Sequence, residues 1–207
     1  MSLKILRDIR FFVFLHSLDM DLAEVVREAG CPVCGGPLHA AAYPRKLRGV
    51  PEEAAPLFAK RKSFCCGREL CRRRTTPPSV VFFGRRLYPA PMVLLVSALT
   101  HGASERRLAR LHGLFGIDRR TLLRWQAFWR EVFPAGGFFR AEAGRFSPPL
   151  GRRRPLGELL RRFGGKFRER LVSVLLFLSP LTTGSVPWER ARRCAGKTRR
   201  GRVVTAV

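Results

Sequence analysis

Cysteine supplies the most distinctive chemistry of this chain, because five of its six cysteines lie within 41 residues. Cys31 and Cys34 are three positions apart and are followed by two glycines, so two thiolates can reach one ion from a tight turn. A second pair is needed to complete a tetrahedral site. Cys71 would supply one of its ligands, and either Cys66 or Cys65 the other. The spacing therefore predicts a metal centre with four thiolate ligands.

We favour Cys66 over Cys65 as the third ligand. In a strand Phe64 and Cys66 point to the same face, so the ring can shield the thiolate from water while Cys65 faces away. Four thiolates suit Zn²⁺, and the many lysines and arginines nearby offset the negative charge of such a centre. One structural zinc is the expected cofactor. The alternatives are His39 in place of one cysteine, buried structural thiols, or a redox Cys-x-x-Cys pair.

The charge of the chain indicates what it binds. Forty Lys and Arg residues against 15 Asp and Glu give the 207 residues a formal net charge of +25. Self-repulsion of so many cations is relieved most readily by a polyanion. Arg outnumbers Lys 34 to 6, and its planar fork suits phosphate and guanine. A hydrophobic content of 46% excludes wholesale disorder, so we expect a folded protein with nucleic acid as its partner.

A membrane partner is not expected. Two uncharged stretches, 87–104 and 171–188, are interrupted by prolines and polar residues, whereas a span needs about 20 mostly apolar residues. The apolar run near the N-terminus is short, and two aspartates follow it without a cleavage site for a signal peptide. We therefore predict a cytoplasmic, nucleoid-associated protein.

Short elements must position the cysteines. Apolar spacing predicts a helix over residues 17–29 that leads the chain into Cys31. Residues 80–88 are rich in β-branched and aromatic side chains and predict a strand, and residues 51–59 predict a short helical insertion. Together these elements predict a small zinc-centred sheet, a zinc ribbon, over residues 31–88.

Three helices are predicted after this sheet. They extend over 92–100, from Ser104 to Gly113 or Gly116, and over 119–133 behind Asp118 as N-cap. The side chains at three- and four-residue spacing in the third helix predict its buried stripe: Leu122, Trp125, Trp129 and Val132. Arg120, Arg124 and Ala127 then face solvent.

The last two of these helices are joined by a short turn, and the second opens with arginines. This organisation is that of a helix-turn-helix, in which the start of the last helix enters the major groove of DNA. The residues predicted to contact DNA there are Arg119, Arg120, Thr121, Arg124 and Gln126. Further DNA contacts are predicted for Arg72, Arg73, Arg74, Arg85 and Arg86. An ordinary three-helix core with a solvated basic face is the alternative.

The remaining residues are basic and broken by Gly-Gly and Pro-Pro pairs. Short helices are predicted around 156–163 and 167–178, with a disordered tail from Thr182 and a free thiol at Cys194. The predicted fold is α+β, with an N-terminal helix, a zinc ribbon, a helix-turn-helix domain and a basic, partly disordered C-terminal region. Their bounds are 1–30, 31–88, 89–134 and 135–207.

The order of these motifs resembles the N-terminal DNA-binding half of bacterial insertion-sequence transposases, which place a zinc ribbon ahead of a helix-turn-helix. The resemblance covers residues 20–133 and rests on the two cysteine pairs and on 115–125, Phe-Gly-Ile-Asp-Arg-Arg-Thr-Leu-x-Arg-Trp. It implies recognition of the terminal repeats of a mobile element. Such proteins cut DNA with three separated carboxylates and two Mg²⁺, whereas no aspartate follows residue 118. We therefore expect no nuclease activity.

These expectations describe an accessory DNA-binding protein, a truncated relic or a regulator derived from a transposase. Its partners would be double-stranded DNA and either a separate transposase subunit or a second copy of itself. The alternatives are a transcriptional regulator, a Mg²⁺-dependent transposase with an unusual site, and an RNA- or ribosome-associated zinc protein. The aromatic residues available for stacking on unpaired bases in this last case are Phe64, Phe82, Phe83 and Tyr88.

Overall fold

The computed structural model describes residues 3–84, 86–99, 104–151 and 155–183. Arg85, Cys194 and the tail from residue 184 lie outside this part of the chain, and so do the predictions made for them. The described part is α+β, as predicted, with helices along most of its length and two small antiparallel sheets. None of the described helices is long and apolar enough to cross a membrane.

Helix α1 (Ile9–Ala29) begins earlier than predicted. Asp8 caps it by accepting hydrogen bonds from the amides of Arg10 and Phe11, and a 3₁₀ helix (Leu3–Arg7) precedes it. The prediction of a start at residue 17 was wrong because the apolar run at 11–15 belongs to the same buried face as the residues that follow it. The first half of α1 lies in the main core of the protein, and its last turns lie beside the cysteines.

The strands are very short. They are β1 (Leu38–Ala40), β2 (Tyr43–Pro44), β3 (Lys60–Arg61), β4 (Phe64–Cys66) and β5 (Arg74–Thr75). One sheet has the order β1-β4-β5, and β2 pairs with β3 in the other. The predicted insertion is a 3₁₀ helix (Glu52–Phe58). The register of β1 and β4 places Leu38 opposite Cys66 and His39 opposite Cys65.

The strand predicted at 80–88 is not present in the described part of that segment. Its first residues are buried, but their amides have no neighbouring strand as partner. The amide of Val80 donates to the carboxylate of Asp19 at 2.7 Å, and the next two amides donate to the Ser79 hydroxyl. Side chains therefore satisfy the backbone where a sheet ladder was expected.

The helices of the second half follow the predicted capping residues. They are α2 (Ala90–Leu99), α3 (Glu105–Phe115), α4 (Arg119–Ala127), a π-helical turn (Phe128–Val132), α5 (Phe133–Ala135) and α6 (Gly137–Ala143). The chain continues into α7 (Pro155–Arg162), α8 (Phe167–Leu178) and a final 3₁₀ helix (Ser179–Thr182). One apolar core includes buried residues of α1, α2, α3, α4, α7 and α8.

The buried stripe of the third predicted helix changes register at the π-helical turn. Trp125 and Trp129 are buried as predicted, but Val132 is 59% exposed and Phe133 enters the core instead. A π turn holds more residues than an α turn, so the next inward-facing position is displaced along the chain. The placement of Val132 in the stripe was therefore wrong.

Candidate metal centre and basic helix face

Four cysteine sulfurs lie together between the end of α1 and the three-stranded sheet. The Sγ atoms of Cys31, Cys34, Cys66 and Cys71 are all within 4.8 Å of one another. The Cys31–Cys71 and Cys34–Cys66 separations are 3.7 and 3.5 Å. Ligands at about 2.3 Å from a tetrahedral zinc ion are separated by about 3.8 Å. The sulfur cluster therefore has the spacing of a metal site.

The first pair of sulfurs is presented by a tight turn at the end of α1. Gly30 ends the helix with φ +72°, and a Cβ atom there would come within 3.0 Å of the Gly35 carbonyl oxygen. The Cys31 amide donates to the Gly36 carbonyl at 2.8 Å, and the Gly35 amide donates to the Cys31 carbonyl at 2.9 Å. These bonds curl the chain so that Cys31 and Cys34 point to the same side.

The second pair is presented by the end of β4 and the turn after it. The Gly67 amide donates to the Pro37 carbonyl at 2.9 Å, which ties this turn to the first one. The Cys71 amide donates to the Arg68 carbonyl at 3.0 Å and brings its sulfur back toward Cys66. Two unrelated turns thus converge on one point.

Cys66, and not Cys65, belongs to the cluster. Cys66 is completely buried next to Phe64, in the apolar group that shields the sulfurs. The Cys65 thiol points the other way and donates to the Arg72 carbonyl at 3.4 Å. His39, opposite Cys65 in the register, is exposed and is not among the clustered ligands.

The thiols perturb one another's pKa values. Burial raises the pKa of Cys31, but hydrogen bonds from the amides of Cys34 and Val33 outweigh it and hold the pKa at about 6. The Arg68 amide lowers the pKa of Cys66, yet burial and the neighbouring thiols raise it to about 12. Ionisation of one thiol therefore opposes that of the next. A bound cation is what allows all four to be thiolates together.

A second candidate site is formed by the start of α4. Gly116 adopts a left-handed conformation (φ +64°), and its carbonyl accepts a hydrogen bond from the Tyr88 hydroxyl at 2.9 Å. The Tyr88 ring meets Trp125 edge-on at 5.2 Å between centroids. Asp118 caps the helix by accepting the Thr121 amide at 2.6 Å. The first turn of α4 is thereby fixed against the core.

The arginines predicted to contact DNA on α4 are exposed. Arg119 forms an ion pair of 3.3 Å with Glu105, and both side chains are mostly in solvent, so the pair is easily exchanged for another anion. Arg120 and Arg124 lie on the same side of the helix. Gln126 is half-buried.

Thr121 differs from its predicted placement at the surface. It is only 6% exposed. Its hydroxyl donates to the carboxylate of Asp118 and accepts a hydrogen bond from Arg124, both at 3.2 Å. The side chain therefore organises the cap and the arginine beside it, in place of the predicted hydrogen bond to DNA.

The other predicted arginines fall into two groups. Arg72, Arg73 and Arg74 are exposed at the edge of the sheet near the second cysteine turn, and the Arg74 guanidinium is 5.9 Å from the Tyr43 ring. Arg86 is half-buried, with its guanidinium 4.3 Å from the Phe128 ring. Burial lowers the pKa of Arg86, and the charge of Arg124 lowers it further. Arg86 therefore packs among aromatic rings close to α4.

Sequence reasoning missed one residue of the basic face. Leu123 is 42% exposed, between Arg120 and Arg124. The spacing of 120, 123, 124 and 127 places these residues on one side of a helix and was the available indication. A shallow, open depression of about 500 Å³ runs over this face and is lined by Arg119, Arg120, Leu123, Arg124 and Ala127.

The aromatic residues suggested for base stacking lie elsewhere. Phe64, Phe82, Phe83 and Tyr88 are all buried. Phe83 stacks on Trp129 at 5.6 Å, and Phe82 meets Phe58 edge-on. Their rings are occupied by packing, so this group offers no stacking platform for unpaired bases.

Comparison of the chain with protein-family models, curated proteins and solved structures finds no match. The resemblance to a transposase DNA-binding region thus rests on the motifs themselves. What the chain does has to be argued from its two sites, the sulfur cluster and the basic face of α4.

Proposed function

We propose that this chain binds a specific sequence of double-stranded DNA with a zinc-supported, helix-turn-helix architecture. The observation that carries the proposal is the exposed arginine face of α4, whose first turn is fixed by the Asp118 cap and the bond from Tyr88 to Gly116. Rigidly held arginines suit base recognition because a bidentate contact to guanine requires a defined geometry.

The sulfur cluster supports the first part of the proposal. Four sulfur donors favour Zn²⁺ over metals that prefer oxygen or imidazole ligands. Two turns joined to a three-stranded antiparallel sheet suit the zinc ribbon predicted over residues 31–88, although the last strand of that sheet ends at Thr75. The metal would be structural, because all four ligands come from the chain and no position remains for a substrate.

The shape of α3 and α4 supports the second part. The two helices are joined by Gly116, Ile117 and Asp118, and Ile117 is completely buried under the turn. Helix α4 has nine residues, and a helix with its side chains is about 10 to 12 Å across, so it fits into the major groove, which is about 12 Å wide. We assign the groove-facing role to Arg119, Arg120 and Arg124, with Arg72, Arg73 and Arg74 as phosphate contacts.

The proposed protein binds DNA without cutting it. It acts as an accessory or regulatory counterpart of a transposase and recognises the ends of a mobile element in the nucleoid. A separate transposase subunit or a second copy of the chain would complete the assembly. Two observations support this role. One is the motif resemblance, and the other is that no aspartate follows residue 118 in the sequence.

The test is a selection of bound duplexes from a random library by the zinc-loaded full chain, followed by affinity measurements against salt. With 6 to 10 phosphate contacts, affinity should fall by about 10³ to 10⁵ between 50 and 200 mM salt. Arg120→Ala with Arg124→Ala should weaken binding to the selected site by roughly 10² or more, since each guanine contact contributes about 1 to 3 kcal/mol. Binding to unrelated duplexes should change little.

The matched control is Arg130→Ala with Arg140→Ala, which removes the same charge from two exposed positions outside the basic face. It should preserve the preference for the selected site. Equal losses on selected and unrelated duplexes in the Arg120 and Arg124 variant would refute the groove-reading role. Stronger binding of structured RNA than of any duplex would favour the RNA alternative.

A further inference from the structure

The basic face of α4 contains an apolar centre that charge attraction to phosphate does not explain. Leu123 is exposed to 42%, in the middle of a depression whose rim is formed by Arg119, Arg120 and Arg124. Ala127, one helical turn further on, extends the apolar floor. Single exposed apolar side chains are common on protein surfaces, so the informative feature is the position of Leu123 among three arginines and not its exposure alone.

The core does not account for Leu123. The neighbouring Leu122 is completely buried, and Trp125 and Trp129 continue the inward face. Leu123 is rotated by about 100° from Leu122 and points away from that face. The exposed surface of Leu123 therefore belongs to the basic face and not to the core.

Two of the arginines around Leu123 have partners on the surface of the protein. Arg124 donates to the Thr121 hydroxyl at 3.2 Å, and Arg119 reaches Glu105 on α3. Arg86 lies behind, against the Phe128 ring, and its positive charge faces that of Arg124. Leu123 is therefore an exposed apolar side chain among arginines, and this combination suits an apolar group on a polyanion.

Duplex DNA offers one such group in the major groove. Thymine carries a C5 methyl there, whereas the other base edges present hydrogen-bond donors and acceptors. We propose that Leu123, supported by Ala127, determines specificity by contacting the C5 methyl of a thymine. Arg120 and Arg124 would bind the phosphate or guanine groups on either side of that thymine. This inference rests on the proposed function and specifies what the same face reads.

The experiment uses the zinc-loaded full chain and the duplex selected above. Each thymine is replaced in turn by deoxyuridine, which removes only the methyl group. Burial of one methyl is worth about 0.8 kcal/mol, so one replacement should weaken binding by about fourfold. Leu123→Ala should cause a similar loss on the thymine duplex and no further loss on the matching uracil duplex. The matched control is Leu57→Ala, because Leu57 has a similar exposure (37%) and lies in the 3₁₀ insertion. This variant should lose affinity on replacement of thymine by uracil as much as the parent does.

The outcomes separate the two proposals. If the chain binds no duplex, the proposed function fails and this inference fails with it. If the chain binds a selected site, the combined loss of affinity from Leu123→Ala and from uracil decides. A combined loss equal to the sum of the two single losses at every thymine would mean that Leu123 does not contact a methyl, and would overturn this inference alone. Sedimentation of both variants provides a second readout. A Leu123→Ala variant that binds DNA like the parent but shifts from dimer to monomer would assign this face to a second copy of the chain, and would also overturn the inference.

Discussion

The region around the cysteines and the helical region hold their structure in different ways. The cysteine region has its own apolar group, formed by Ala23, Val26, Cys31, Leu38, Phe64 and Cys66. Two of these six are members of the sulfur cluster, and the strands beside them have two or three residues each. So small a core supplies little stability, and we expect bonds to the proposed cation to supply most of the rest.

The helical region depends instead on aromatic packing. Phe83 stacks on Trp129 at 5.6 Å, Trp129 meets Phe133 at 5.0 Å, and Phe133 meets Phe139 at 5.3 Å. Each such pair adds about 0.5 to 1.5 kcal/mol beyond the burial of its surface. We therefore expect the cysteine region to require metal and the helical region not to, and the following changes test this division.

Loss of the metal should have the largest effect on stability, and this effect should be confined to the cysteine region. Cys34→Ser, or a strong chelator, should remove one zinc per chain. The effect on stability should be large, because structural zinc sites contribute about 10 to 16 kcal/mol of apparent binding energy. Hydrogen exchange measured by mass spectrometry should show loss of amide protection in residues 31–75 and little change in α2, α4 and α8. Cys65→Ser is the matched control and should retain zinc. If chelator left the amide protection of residues 31–75 unchanged, the cysteine region would not require metal.

A cavity in the helical core should have the next largest effect on stability. This effect should fall on the helical region and not on the cysteine region. Leu122→Ala should lower the free energy of unfolding by about 2 to 5 kcal/mol, since the side chain is completely buried. The adjacent Leu123→Ala should change it by less than about 0.5 kcal/mol. Urea unfolding followed by tryptophan fluorescence measures both, and zinc content should stay at the parent value. Equal destabilisation by the two variants would show that α4 is packed differently.

The buried carboxylate of Asp19 should make stability depend on pH. Burial raises its pKa to about 6, against the attraction of Arg61 and the hydrogen bonds from Ser79 and Val80. The folded state therefore holds the proton more tightly than the unfolded state. Relative to Asp19→Asn, the free energy of unfolding should fall by up to about 3 kcal/mol as pH rises from about 4 to 7.

Comparison with the asparagine variant at each pH cancels the contribution of the thiols. The measurement is urea unfolding of both proteins at matched pH values. A difference between them that stays constant from pH 4 to 7 would mean that Asp19 titrates alike in the folded and unfolded states.

The smallest effects concern two glycines close to one another. Gly116→Ala should destabilise by about 1 kcal/mol, because φ is +64° there and a Cβ atom would meet nothing within 4 Å, so the cost is conformational alone. Gly113→Ala, inside α3 and equally unhindered, should stabilise by about 0.5 to 1 kcal/mol. Thermal unfolding of the two variants should therefore show shifts of opposite sign.

The features that depend on neighbouring residues could be predicted from the sequence. The spacing Cys31-x2-Cys34 located half of the sulfur cluster, and the alternation at Phe64 and Cys66 separated Cys66 from Cys65. Asp118 and Gly116 marked the start of α4 and the turn before it. Caps and tight turns are local arrangements, so local patterns indicate them.

The features that depend on distant residues could not. The segment after Ser79 has the composition of a strand, but Asp19, 60 positions away from Ser79, accepts hydrogen bonds from the Ser79 hydroxyl and the Val80 amide. The π-helical turn that exposes Val132 leaves no clear pattern in composition. The inward position of Thr121 depends on hydrogen bonds to Asp118 and Arg124 that periodicity does not reveal.

Helix α1 belongs to both regions. Its 21 residues make a continuous rod of about 32 Å, clamped in the aromatic core at one end and carrying a metal turn at the other. If the proposed ion were removed, we expect the last turns of α1 to lose amide protection while its first half stays ordered in the aromatic core.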